Sequence, residues 1–119
     1  MNSEQESQIS CCYKELVLEM PGEEKKANQK IQRRLRYLGL PKATPETLEL
    51  LRNIRDQLSK EIGLFDKSKY HLGYTRNVTA FEDFDSDRML RDFQQLYPSI
   101  PEEEMGPIIG FSIFAYYLR

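Results

Sequence analysis

The chain has 119 residues, of which 39% are hydrophobic and 30% charged, a balance typical of a soluble protein with one globular domain. Its net charge of −2 excludes a strongly basic protein, and two adjacent cysteines, Cys11 and Cys12, exclude a disulfide-rich scaffold. The first eight residues lack the features of a signal peptide, and the longest uncharged run, residues 105–118, is too short for a membrane span of about 20 residues. We therefore expect a cytoplasmic protein that does not enter a membrane.

The charges are distributed in three blocks along the chain. Residues 1–24 contain six acidic residues and one lysine, a net charge of −5. Residues 25–76 contain thirteen basic and five acidic residues, a net charge of +8, and residues 77–119 contain three basic and eight acidic residues, a net charge of −5. Such asymmetry favours a protein whose association with a partner is steered by charge.

Apolar residues at intervals of three and four predict a first helix over residues 7–20, ended by Pro21-Gly22. The residues of this face are Ile9, Cys12, Leu16 and Met20. A strand over residues 13–20 is the alternative, because Leu16-Val17-Leu18 is a short apolar run. Since neighbouring residues point to different sides of a helix, we expect only one of the two cysteines to face the core.

A second helix is predicted over residues 23–38, with Gly39 placed to end it in the left-handed conformation. Basic residues are concentrated in this helix, and helical spacing puts four of them on roughly one side. These four are Lys26, Lys30, Arg33 and Arg34. Because a row of cations can follow a phosphate backbone, the basic segment 25–36 is the candidate nucleic-acid-binding surface.

The third predicted helix has the clearest signals in the chain. Thr44 is a suitable N-cap, Pro45 fits the first turn, and Gly63 ends the helix. Its predicted core face consists of Leu48, Leu51, Ile54, Leu58 and Ile62. Arg52 is placed on the solvent-facing side, next to Asp56 at helical spacing.

Residues 64–78 show no clear periodicity, and we predict a long ordered loop or a short hairpin. Tyrosine and arginine are enriched at binding hot spots, and this segment contains both. The candidate surface for a protein partner therefore comprises Tyr70, His71, Tyr74 and Arg76. If the two tyrosines lie over the helices instead, they belong to the edge of the core.

Two capping boxes predict the last two helices. The first, residues 79–82, starts a fourth helix near Ala80, with Asp85 or Ser86 as the alternative start. The second, residues 99–102, starts a fifth helix that runs toward Leu118, with a kink or break at Gly106-Pro107.

Beyond Pro107 the fifth helix is apolar on all sides, which is typical of a helix at the centre of a fold. The predicted fold is therefore all-α, a compact bundle of four to five helices with a central apolar C-terminal helix. Residues 1–7 are predicted to be a flexible N-terminus and residues 8–119 a single helical domain. If part of the last helix is exposed, we expect a homodimer or a partner helix there.

The sequence contains no catalytic or metal-binding pattern. Residues 83–87 begin like a calcium-binding loop, but Arg88 and Gln94 stand where that loop needs glycine and glutamate. His71 is the only histidine, and no motif for a nucleophile accompanies it. We therefore predict no enzyme activity, no metal and no cofactor.

The function that these patterns favour is a non-enzymatic protein–protein interaction module, such as a small adaptor, assembly factor or inhibitor. The alternative is a small nucleic-acid-binding regulator that uses residues 25–36.

Overall fold

The computed structural model describes residues 7–64, 67–71 and 84–117 of the chain. These residues form five helices: α1 (Gln8–Leu16), α2 (Glu24–Tyr37), α3 (Pro45–Gly63), α4 (Ser86–Leu96) and α5 (Glu102–Tyr117). No strand occurs among the described residues, where a single antiparallel bridge joins His71 and Phe84. The prediction of an all-α fold with four to five helices is confirmed. The chain comprises two compact units, residues 1–55 and 56–119, and α3 contributes residues to both.

Helix α1 is shorter than predicted. It begins after Ser7, whose hydroxyl accepts a hydrogen bond from the Ser10 amide at 3.0 Å, and it ends at Leu16 rather than at Met20. The amides of Leu18 and Glu19 bond carbonyls three positions back, which tightens the chain into turns and leaves Met20 exposed instead of in the core. The helical interpretation is therefore confirmed over residues 8–16, and the predicted end is wrong.

Both cysteines of α1 are buried, contrary to the expectation that one of them faces solvent. Tyr13, Leu16 and Val17 are buried beside them, so the buried arc of α1 is wider than one narrow stripe. Burial, together with the neighbouring Cys11 thiol, raises the pKa of Cys12 from 9.0 to about 12. A thiol in this state is an inert core residue at neutral pH.

Helix α2 buries Ile31 and Leu35 and ends as predicted, in a left-handed glycine. Gly39 has φ of +74°, its amide bonds the carbonyl of Arg36, and the amide of Leu40 bonds the carbonyl of Leu35 at 2.9 Å. These two bonds form a Schellman motif, which satisfies carbonyls at the end of a helix.

The connection from α2 to α3 is held by glutamine side chains. Gln32 on α2 donates to the carbonyl of Ala43 at 2.9 Å and accepts from the amide of Ala43 at 3.2 Å. Gln8 on α1 donates to the carbonyls of Pro41 and Lys42. These bonds fix the entry to α3 without any regular structure in the connection itself.

Helix α3 agrees closely with the prediction. Thr44 caps it by accepting from the Thr47 amide at 3.1 Å, and Pro45 is its first residue. All five residues of the predicted core face are buried: Leu48, Leu51, Ile54, Leu58 and Ile62.

Helix α4 begins at Ser86, which confirms the alternative start, whereas Ala80 lies outside the described residues. Asp85 caps the helix by accepting from the Arg88 amide at 3.1 Å, and Phe84 before it lies in the isolated bridge. Thr79 and the other residues of the first capping box lie outside the described residues.

Helix α5 starts at Glu102, the last residue of the predicted capping box and two residues later than an N-cap at Ser99 requires, and it continues through Pro107 to Tyr117 without the predicted break. Pro107 is the sixth residue of the helix, so the hydrogen bond that it cannot donate falls close to the N-terminal end. In the second unit α5 contributes more buried apolar side chains than any other described helix: Met105, Ile108, Ile109, Ile113 and Ala115. Among the described residues, no helix combines the length and apolar character needed to cross a membrane.

Candidate functional site

All four cations of the predicted basic surface are exposed on α2. Lys26, Lys30 and Arg33 are spaced by four and three residues, which aligns them on one side of the helix. The rise of an α-helix puts the two ends of this row about 10 Å apart along the axis. Lys30 lies 3.7 Å from a carboxylate oxygen of Glu15, whereas Lys26 and Arg33 form no ion pair with the described residues.

The same row of cations forms one side of a surface groove with a volume of about 320 Å³. Its other side consists of the end of α1 and the turn that follows it, between residues 15 and 23. We call this feature the α1–α2 groove. Its volume lies at the small end of the range for ligand pockets, roughly 300–1,000 Å³.

Two exposed aliphatic side chains line the α1–α2 groove. Leu18 and Met20 are each 62% exposed, although they flank the buried Glu19 in sequence. They are outside the core because α1 ends at Leu16 and the chain turns away before reaching them. Large apolar side chains next to each other at a surface are a common feature of binding sites.

Glu19 lies between these two residues in sequence, and its side chain is only 3% exposed. Arg52 donates to its carboxylate from Nε at 3.1 Å and also from Nη2, while Arg55 donates from Nη1 at 2.6 Å. The hydrogen bonds from Arg52 lower the pKa of Glu19 below its usual value, and those from Arg55 add to this effect against the opposing influence of burial. Glu19 is thus held as a carboxylate.

The two arginines connect this carboxylate to the helices around it. Arg52 also donates to the side-chain oxygen of Asn28 on α2 at 2.8 Å, and Arg55 donates to the carbonyl of Leu16 at the end of α1 at 3.0 Å. We call Glu19, Asn28, Arg52 and Arg55 the Glu19 cluster. It ties the turn after α1 to α2 and α3, and so fixes the wall of the groove that carries Leu18 and Met20.

Arg52 was placed on the solvent-facing side of α3 by helical periodicity, and that placement is only partly correct. Its side chain is 18% exposed and reaches a residue 33 positions earlier in the chain. Periodicity puts Glu19 and Arg52 outside the apolar stripes but contains no information about a pairing across such a distance.

The second predicted surface, which includes Tyr70 and His71, is less exposed in the structure than the sequence predicts. Tyr70 is buried, and its hydroxyl donates to Asp92 at 2.8 Å. Burial raises the pKa of Tyr70, and the hydrogen bond to Asp92 raises it further. Lys69 and Arg88 lie over its ring, with Nζ and Cζ at 5.3 and 5.5 Å from the centroid. Tyr70 therefore belongs to the edge of the core, which is the other placement that the sequence left open.

His71 is half-buried, and its ring meets the ring of Phe84 edge-on at 5.4 Å between centroids. Tyr74 and Arg76 lie outside the described residues. The described part of this surface thus offers a buried tyrosine and a partly covered histidine, neither of which presents a free aromatic face.

The acidic residues near the helix starts act as expected for caps and first turns. Asp85 caps α4, and Glu102, Glu103 and Glu104 occupy the first turn of α5. No three histidine, cysteine, aspartate or glutamate side chains are grouped to hold a metal ion in the part of the chain that the structure describes.

Comparison with known proteins shows no matching family model, no matching curated protein and no matching solved structure. The site is therefore interpreted from its own geometry.

Proposed function

We propose that the protein is a non-enzymatic protein–protein interaction module that binds its partner in the α1–α2 groove. The observation that supports this most directly is the exposure of Leu18 and Met20, 62% each, beside the exposed cations Lys26 and Arg33. Apolar anchors surrounded by charged residues are the usual composition of a protein-binding surface, because the apolar area supplies affinity and the charges supply orientation.

The Glu19 cluster supports the same interpretation. A binding surface gains affinity when its side chains are already held in the bound geometry, since less conformational entropy is then lost on binding. The turn that carries Leu18 and Met20 is fixed by Arg52 and Arg55 through Glu19, between two residues that are themselves exposed. A rigid turn that presents two aliphatic side chains to solvent is suited to docking.

The proposal moves the binding surface away from Tyr70 and His71, which the sequence favoured. Hot-spot tyrosines contact the partner with an exposed ring, whereas the Tyr70 ring is buried and its hydroxyl is already bonded to Asp92. In the α1–α2 groove, by contrast, the apolar side chains are accessible without any rearrangement.

The experiment is site-specific photocrosslinking in a lysate of the source cells. A benzophenone amino acid replaces Leu18 or Met20, and the matched control carries it at Glu49, an exposed residue of α3 that does not line the groove. We expect a discrete adduct with one protein from positions 18 and 20, competed by excess unmodified protein, and none from position 49. The absence of competable adducts at both groove positions would contradict the proposal.

A second candidate function, a small nucleic-acid-binding regulator, is favoured by a different observation. Tyr37 is 85% exposed at the end of α2, within four residues of Arg33, Arg34 and Arg36. Exposed aromatic rings next to cations are the elements with which proteins stack bases and neutralise phosphates of single strands. This surface lies at the other end of α2 from Lys26.

A further inference from the structure

The α1–α2 groove also indicates what kind of partner it accepts, an inference that rests on the proposed function. We infer that the groove binds an acidic amphipathic helix, which packs apolar side chains on Leu18 and Met20 and places carboxylates opposite Lys26 and Arg33.

The charges of the groove support an acidic partner once internal pairs are taken into account. Three acidic side chains line it, but Glu19 is neutralised by Arg52 and Arg55, and Glu15 lies 3.7 Å from Lys30. Lys26 and Arg33 remain exposed, with no ion pair to the described residues, and only Glu23 opposes them. A partner therefore meets two available cations at the two ends of the row.

The spacing of these cations supports a helical partner. Lys26 and Arg33 are seven residues apart, which is two turns and about 10 Å along the axis of α2. A helix lying alongside α2 presents carboxylates at the same interval when they too are seven residues apart. The same periodicity places apolar residues of that helix on a neighbouring stripe, where Leu18 and Met20 can receive them.

Features of the groove distinguish this partner from a nucleic acid. Leu18 and Met20 are aliphatic and offer no ring on which a base can stack, and the exposed aromatic ring of Tyr37 does not line the groove. The apolar half of the groove therefore matches leucine-like side chains.

The test uses the whole protein and a labelled synthetic helix of about five turns, with leucines on one stripe and glutamates two turns apart on its flanks. The comparison probes are the same peptide with every glutamate replaced by lysine, polyglutamate, and mixed-sequence single-stranded DNA. Binding is measured by fluorescence anisotropy, and circular dichroism verifies that each variant is folded.

Two double variants test the two halves of the groove, and each has a matched control. L18S with M20S removes the apolar anchors, and the control L96S removes a leucine of α4 that is 56% exposed and does not line the groove. K26E with R33E reverses the charges, and the control K60E with R91E reverses two exposed cations elsewhere.

We expect the acidic peptide to bind, and its Kd to rise about tenfold in each groove variant and less than about twofold in the controls. Equal binding of polyglutamate, or of the lysine peptide, would overturn the inference. The inference would also be overturned if the protein bound DNA, and if this binding were abolished by K26E with R33E but unchanged by L18S with M20S.

The two proposals fail in different ways. If the acidic peptide does not bind but adducts still form at positions 18 and 20, the chemistry of the partner is wrong and the interaction function stands. If neither occurs, both proposals are wrong.

Discussion

At the scale of single residues, the carboxylate of Glu19 is the most constrained polar group of the described first unit. It is 3% exposed and is held by two guanidinium groups, so removing its charge leaves two partly buried cations without their counter-ion. Breaking a buried pair by removing one partner is costly, because the remaining charge stays desolvated. The wall of the α1–α2 groove therefore depends on one ionised side chain.

We predict that E19Q lowers the free energy of unfolding by about 3 kcal/mol, as expected when one member of a buried ion pair is lost. Urea denaturation at neutral pH measures the change. The matched control is E49Q, which removes an exposed carboxylate of α3 and is expected to change stability by less than about 0.5 kcal/mol. Equal effects of the two substitutions would show that the Glu19 cluster does not stabilise the fold.

The lowered pKa of Glu19 also predicts a pH dependence. Because the folded-state pKa lies below the unfolded value, the ionised cluster contributes its full stability above the unfolded pKa, and this contribution is lost as the pH falls through the folded pKa. The wild-type protein is therefore expected to lose more unfolding free energy than E19Q between neutral and acidic pH. Parallel pH profiles of the two proteins, obtained from urea titrations, would contradict this assignment.

At the scale of secondary-structure elements, the ends of the helices are decided by short-range chemistry. Thr44 caps α3 and Gly39 ends α2 with φ of +74°. A residue with a side chain is strained in this left-handed conformation, whereas glycine is not. The end of α2 matters for the second candidate surface because Tyr37 is its last residue.

Replacement of Gly39 by alanine is predicted to destabilise the protein by about 1 kcal/mol, because alanine disfavours a positive φ although the space around it is open. Gly63 is the matched control, since it lies in α3 without a positive φ and a Cβ there meets nothing within 4 Å. We expect G63A to be neutral or stabilising by up to about 1 kcal/mol. Thermal unfolding compares the two, and a G39A protein as stable as G63A would refute the argument from φ.

At the scale of the whole molecule, the charge is arranged in blocks of opposite sign. The basic block of +8 contains α2 with its exposed cations, while the acidic blocks on either side bring the total to −2. We expect this cationic helix within an acidic chain to favour partners that offer both carboxylates and apolar groups over partners that offer phosphate alone.

The prediction at this scale concerns nucleic acids. We expect no saturable binding of mixed-sequence DNA or RNA at about 50 mM salt, measured by fluorescence anisotropy. The opposite outcome is saturable binding whose affinity falls roughly 100-fold between about 50 and 200 mM salt. This is the salt dependence expected when about four basic side chains contact phosphates. If R33E with R34E also weakened that binding, the nucleic-acid-binding regulator would become the preferred function.

The sequence by itself determined most of the fold. Apolar periodicity and capping signals together located the five described helices. The five core residues of α3 were identified without error, because a buried helical face repeats every three or four residues. Caps such as Thr44 and Gly39 were also predictable, since each acts on backbone groups within a few residues.

Only the tertiary structure decided which polar residues are paired and which apolar residues are exposed. Glu19 meets Arg52 and Arg55 across 33 and 36 positions, and Tyr70 meets Asp92 across 22. A carboxylate on a polar face has the same sequence pattern whether water or arginine surrounds it. The α1–α2 groove escaped prediction for that reason: its exposed wall depends on where α1 ends, and its rigidity depends on a pairing between residues far apart in the chain.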